Sequence, residues 1–172
     1  ISRLGQGSSS EVFKCRNVHD DKLYAVKISK RQFRSKRDRE NYLNEVQIFK
    51  PLGASCPHIL HYHRAWQENG HFYIQYEYCA RGDLQSFLED IAQPLKDDMI
   101  WGLVVDIVAG LNHIHMNKLV HLDIKPSNIF ITSDGTLKIG DFGMVTKVGS
   151  SEDGREGDSV YMAPELLSSS HV

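Results

Sequence analysis

Cysteine is scarce in this chain of 172 residues: Cys15, Cys56 and Cys79 are odd in number and show no C-x-x-C spacing. A disulfide framework and a zinc site are both unsupported, and a reducing compartment, nuclear or cytoplasmic, is expected. Long apolar runs are missing too. The longest are a few residues, well short of the ~20 that cross a bilayer, and no signal-peptide pattern opens the chain, so no membrane-spanning segment is expected. Charge of one sign is lacking: 20 Lys and Arg stand against 22 Asp and Glu, a net of −2. That balance argues against nucleic-acid binding by bulk electrostatics. Repeats are absent, and the only small polar run is Ser168–Ser170. His58, His61 and His63, or His113 and His115, lack a carboxylate or Cys at ligand spacing, so no metal is expected there.

Strand patterns are present first. Glu11–Arg16 alternates, a turn at His19-Asp20-Asp21-Lys22 follows, and Leu23–Ser29 is rich in β-formers, which predicts a hairpin. HYHRAWQE and HFYIQYEY flank Asn69-Gly70, a strong hairpin signal. Between the pairs, Arg37–Lys50 sets Leu43, Val46 and Phe49 on one face and ends at Pro51 and Gly53, as an amphipathic helix does.

Helices dominate later. Asp83 is placed to cap a helix whose stripe is Leu84, Phe87, Leu88 and Ile91. A longer helix is predicted over Asp98–His115, with Ile100, Val104, Ile107, Val108, Leu111 and Ile114 inward. Two short strands, NIFI and TLKI, then meet across Ser133-Asp134-Gly135. The class is α+β, with a strand-rich half joined near 78–82 to a helical half.

Against this frame a few charged and small residues stand out. Gly5-x-Gly7-x-x-Ser10-x-Val12 lies between two strands, where small residues admit phosphate oxygens to backbone N–H groups; a plain hairpin turn has the same look. Lys27 is a lone charge in Ala25-Val26-Lys27. Glu45 sits among Leu43, Val46 and Ile48 and needs a partner, for which Lys27 is the candidate. In VHLDIKPSNIF, Asp123, Lys125 and Asn128 are charged or polar groups between apolar stretches, costly to bury unless a ligand or a reaction uses them. Asp141-Phe142-Gly143 and Ala163-Pro164-Glu165 follow. Each tripeptide is common; their order on these elements is not.

The assembly resembles the eukaryotic protein-kinase signature over nearly the whole chain. The resemblance implies a bilobal fold, an N-lobe at 1–79 ending in a hinge and a C-lobe at 80–172 that stops after Ala-Pro-Glu. It implies phosphoryl transfer from ATP with Mg²⁺ to a protein substrate. By the match, Lys27 would hold the α/β-phosphates and Glu45 would hold Lys27. Asp123 would accept the substrate hydroxyl proton, Lys125 would steady the γ-phosphate, and Asn128 and Asp141 would carry the metal. The nucleotide would lie among Leu4, Gly5, Gly7, Val12, Ala25, Lys27, Tyr76, Glu77 and Cys79, with Asp83 toward the ribose.

AWQENGHFYIQYEYC, VHLDIKPSNIF, KIGDFGM and EGDSVYMAPE are similar to the Wee and Myt group, which phosphorylates an inhibitory tyrosine of cyclin-dependent kinases and so restrains mitosis. Leu122 in place of Arg and Glu156-Gly157-Asp158 are the most specific of these likenesses. A kinase of the translation-initiation-factor group, or a pseudokinase scaffold, are the alternatives. Lys125 is a serine/threonine-type feature, which leaves the hydroxyl specificity open. Leu122 cannot pair with a phosphate on the segment 141–165, so that segment is expected to be held by its own contacts, with Asp158 and Glu156 accepting bonds from backbone, Lys or Arg.

Overall fold

The computed structural model describes residues 1–7, 9–32, 43, 46–47, 52–149, 158, 160–161 and 163. Five strands, β1 (Ser2–Gln6), β2 (Ser10–Arg16), β3 (Leu23–Ser29), β4 (Tyr62–Glu68) and β5 (His71–Glu77), form an antiparallel sheet in the order β1-β2-β3-β5-β4. Both expected hairpins are there. Asn69 and Gly70 have φ of 49° and 78°, the double left-handed turn that Asn-Gly supplies at low cost. The first hairpin closes through Asn17 N–H to Lys22 O at 2.9 Å.

Leu43, Val46 and Gln47 are helical, and Leu43 and Val46 pack on the core. The rest of the helix expected over 37–50, including Phe49 and Glu45, lies outside the described residues. Helix α1 (Leu84–Asp90) is capped by Asp83, whose Oδ1 accepts the Ser86 N–H at 2.9 Å. Helix α2 (Asp97–Met116) follows, then β6 (Leu119–Val120), β7 (Ile129–Ile131), β8 (Leu137–Ile139) and β9 (Thr146–Lys147). Strand β7 pairs with β8 as the two short runs predict, and β6 pairs with β9.

Two expected stripes need correction. In α1, Leu84 is buried and Phe87 packs on the core, but Leu88 is exposed and Ile91 falls outside the helix at its C-cap. In α2, Ile107, Leu111 and Ile114 face the core with Leu103, whereas Ile100, Val104 and Val108 are exposed. The covering strands β8 and β6 meet α2 through its C-terminal half, where Gly110 and Ile114 are buried. Val104 and Val108 are rotated off that stripe, and Ile100 lies a turn before it. By length and composition α2 is also apolar enough to cross a membrane, although only 11% of it is buried. It nevertheless carries Asp106, whose Oδ2 accepts the Leu137 N–H at 2.9 Å.

One core runs through both halves. Leu60 N–H donates to Ile139 O at 2.8 Å and Ile139 N–H to His58 O at 2.9 Å, so the stretch before β4 lies along β8. Ile59 and Ile114 are completely buried there. The approach of α2 is close enough to demand glycine: a Cβ on Gly110 would lie 2.8 Å from His58 O.

Candidate active site

Residues directly opposite each other in an antiparallel pair share a face. The register pairs Val12 with Lys27, Ala25 with Tyr76 and Lys27 with Ile74, so Val12, Ala25, Lys27 and Tyr76 project to one side of the sheet. Leu4 sits where the β1–β2 register slips between Arg3 and Gly5, and it is half-exposed. A Cβ on Gly5 would meet nothing within 4 Å and one on Gly7 only Ser10, so the loop stands clear of what lies beneath it. The turn closes through Gly7 N–H to Ser10 O at 2.9 Å, and Lys30 reaches back to hold Gly7 O and, by its N–H, Ser9 O.

Below the sheet the chain turns through 77–82. Tyr76 is buried at the rear. Glu77 turns its carboxylate away from the Lys27 face, since it opposes Tyr24 rather than Ala25. Its contribution to a nucleotide site is therefore limited to backbone. The Lys14 ammonium sits 4.6 Å from the Tyr78 ring centroid. Cys79 is buried, and burial followed by the nearby Glu77 charge pushes its thiol up to about 12, so it is inert packing material. Both Asp83 oxygens accept from the Ser86 hydroxyl at 3.2 Å. A ribose at Asp83 would have to share a carboxylate already engaged in capping.

The stretch after β6 gathers the expected charged groups. A short 3₁₀ turn, Pro126–Asn128, brings Asn128 back onto Asp123, donating from Nδ2 to the Asp123 backbone O and to its Oδ2, both at 2.8 Å. Lys125 Nζ lies 3.1 Å from Asp123 Oδ2. His121 anchors the stretch: it is 1% exposed, and its Nε2 is 3.0 Å from Gly140 O while Nδ1 accepts the Asp123 N–H at 3.3 Å. That tautomer is neutral, and burial lowers its pKa below the ordinary imidazole value. Leu122 occupies the left-handed region at φ 66°, a cost of order 1–2 kcal/mol for a side chain with Cβ.

Asp158 completes this group and was no candidate for the site in the sequence. Its Oδ2 lies 3.3 Å from Lys125 Nζ, its N–H donates to Asp123 Oδ1 at 3.3 Å, and its Oδ1 accepts the Val160 N–H at 3.1 Å. Lys125 thus stands between two carboxylates 35 positions apart. Burial disfavours its charge, but the two carboxylates outweigh that and raise its pKa. The anticipated role of Asp158 as acceptor from Lys and backbone is what the structure shows. Glu156 lies outside the described residues.

Strand β8 delivers Asp141, with φ 53°, beside the same stretch through Gly140 N–H to Asn128 O at 2.9 Å. Asp141 Oδ1 lies 2.9 Å from Lys27 Nζ, joining the sheet to the loop after β8. Burial raises the Asp141 pKa, yet the Lys27 charge and hydrogen bond overcome it and hold the carboxyl below its ordinary value of 3.8. A group depressed in this way stabilises the folded chain above about 3.8, and the contribution is lost as pH falls through its lower folded value. We expect the Asp141 carboxyl resonance to titrate below pH 3.8 in the native protein and higher in Lys27→Met, where the main opposition to burial is gone. An unchanged midpoint in the variant would contradict the pairing.

Asn128 and Asp141 present hard oxygen donors side by side. Both amide hydrogens of Asn128 are directed at Asp123, which leaves its Oδ1 turned elsewhere. One carboxylate and one amide, completed by phosphate oxygens, suit a small hard dication. Among the described residues no group of three or more His, Cys, Asp or Glu could hold a metal by itself. Of the expected site, Glu45 lies outside the described residues; Lys27 meets Asp141, and Lys125 and Asn128 meet Asp123, whereas Glu77 turns its carboxylate to the other face of the sheet.

The chain matches the protein kinase domain family over residues 1–172. It is 41% identical over 178 residues to a probable protein kinase of Dictyostelium discoideum, covering 100% of this chain and 50% of that one. It is 41% identical over 172 residues to the mitosis inhibitor protein kinase wee1 of Schizosaccharomyces pombe, covering 97% and 19%. It is 39% identical over 170 residues to the membrane-associated tyrosine- and threonine-specific cdc2-inhibitory kinase of Drosophila melanogaster, covering 97% and 31%. The chain therefore spans half or less of these relatives. With the full-length family match and Lys27, Asp123, Asn128 and Asp141 gathered in one cleft, this chain belongs to the protein kinase family and is similar within it to the Wee-type kinases.

Proposed function

We propose that the protein transfers the γ-phosphoryl group of ATP to a tyrosine of a cyclin-dependent kinase, as a Wee-like brake on mitosis, in the nucleus or cytoplasm. The observation that carries the phosphotransfer reading is the convergence of Lys27 on Asp141 and of Asn128 and Lys125 on Asp123. In such a reaction the protein mainly positions groups and neutralises charge. Asp123, steered by Asn128 and facing Lys125, is placed to accept the hydroxyl proton. Lys125 is placed to balance charge on the transferring group, and Lys27 to hold the phosphates against Asp141. Asn128 and Asp141 would hold Mg²⁺, which supplies charge neutralisation on the phosphates.

The narrower substrate rests on likeness to relatives named as mitosis inhibitors and as cdc2-inhibitory kinases. Leu122 adds a regulatory expectation. It offers no cation to a phosphorylated segment, while Asp158 already binds Lys125. The enzyme is accordingly active as synthesised. To test both, the full-length protein is stripped with a broad phosphatase and given a folded cyclin-dependent kinase and ATP. Mass spectrometry should find phosphate on a tyrosine of the substrate's glycine-rich loop, at a rate close to that of untreated enzyme. Phosphate found only on serine of an initiation-factor substrate, or no transfer at all, overturns the reading. A loss of about tenfold restored by rephosphorylation overturns the regulatory part.

A further inference from the structure

The cleft is spanned by a second ion pair on its far side. Glu77 ends β5, and its Oε1 accepts the His61 N–H at 2.6 Å and lies 2.9 Å from Lys138 Nζ. A second bond, Glu77 N–H to His61 O at 3.0 Å, locks the same two residues by their backbones. The Lys138 and Glu77 side chains are 14% and 25% exposed, so the pair is screened only partly by water. Lys138 lies in β8, three positions before Asp141.

These contacts make a closed circuit. Strand β3 pairs with β5, placing Lys27 opposite Ile74. Lys27 reaches Asp141, β8 runs back from Asp141 to Lys138, and Lys138 reaches Glu77 at the end of β5. One ion pair lies inside the cleft and the other behind it, and from opposite faces of the sheet they tie two neighbouring strands, β3 and β5, to the stretch from Lys138 to Asp141. The rear pair borders an open cavity lined by Gly53, Ala54, Cys56, His61 and His63, so no apolar packing would replace it.

We infer that Lys138 is a positioning residue for nucleotide binding: with Glu77 it sets the spacing between the segment after β5 and Asp141. The inference rests on the kinase reading. Small displacements of a binding group cost large factors in rate and affinity, and coupled charged pairs lose more than single contacts. A pair serving stability alone would lower the thermal midpoint and leave ligand affinity as it was.

The test uses the full-length protein carrying Lys138→Met, Lys138→Arg and the exchange Glu77→Lys with Lys138→Glu. In Lys138→Met, the KM for ATP and the Kd for a non-hydrolysable ATP analogue are expected to rise about tenfold, with kcat within about twofold. Amide exchange at Glu77 in the nucleotide-free variant should speed by a similar factor. Lys138→Arg and the charge exchange should recover most of the affinity. If Kd and exchange are unchanged and only the midpoint falls, or if kcat falls with KM unchanged, the inference is wrong. Should Lys138→Met fail to fold, Lys138→Gln is judged by the same criteria. A wild-type protein that binds no ATP analogue would overturn the kinase reading itself, and this inference with it; one that binds it while the variants match it overturns this inference alone.

Discussion

Asp123→Asn is expected to lower phosphotransfer by about 10²–10⁴-fold while leaving the affinity for ATP nearly intact, because a positioned base contributes that much to proton transfer and little to ground-state binding. The substitution keeps the shape of the side chain. An amide oxygen can still accept from Asn128 Nδ2, now 2.8 Å from Oδ2, so the 3₁₀ turn has no reason to open. What is lost is the charge between Lys125 and the Asp158 N–H. Single-turnover rates with a folded substrate, set beside nucleotide affinity by calorimetry, separate the two effects. Equal rates in variant and wild type would remove Asp123 from the mechanism. A collapse of affinity together with rate would make it a structural residue.

Lys27→Met should cost kcat/KM about 10²–10³-fold, the scale of losing one preorganised donor to developing charge in a sheltered site. The Lys27 side chain is 16% exposed, and its Nζ lies 2.9 Å from Asp141 Oδ1 across the cleft. Removing its charge leaves burial, which favours protonation, opposed only by the lesser effects of His121 and the Gly143 N–H, and so weakens Asp141 as an oxygen donor. The two residues should behave as a unit, so that Lys27→Met with Asp141→Asn falls well short of the product of the single losses. Turnover within about a factor of two of wild type in Lys27→Met would refute the assignment, as would full multiplicativity of the pair.

Much of the fold is legible in the sequence because it rests on local signals. Asn69-Gly70 can supply two left-handed residues, and Asp83 with Ser86 makes a helix start by side-chain chemistry alone. The inward face of α2 was not legible in full. Its apolar stripe is wider than the sector that β8 and β6 cover, and periodicity reports the stripe without the cover. Nor could the two-residue ladder of β6 with β9 be read, since two residues have no period.

In the site, the groups that come from one stretch, Asp123, Lys125 and Asn128, were legible as costly polar residues among apolar ones. Lys138 was not, and Asp158 was legible as an acceptor from Lys or backbone but not as a neighbour of Asp123. Each acquires its role in the site from a partner 33 or 61 positions away in sequence. Glu77 illustrates the opposite error: the sequence names it beside the nucleotide, but strand alternation sends its carboxylate to the back of the sheet.

The Lys27–Asp141 contact has a consequence for ionic strength. The ammonium acts as a built-in counter-ion, so Asp141 does not present a bare negative charge to solvent. An incoming dication does not fall into an open electrostatic well; it competes with a tethered cation 2.9 Å from the carboxylate. Added salt weakens the tether and the newcomer's attraction together. Nucleotide affinity should thus vary less steeply with salt than the formal charges of the reactants imply.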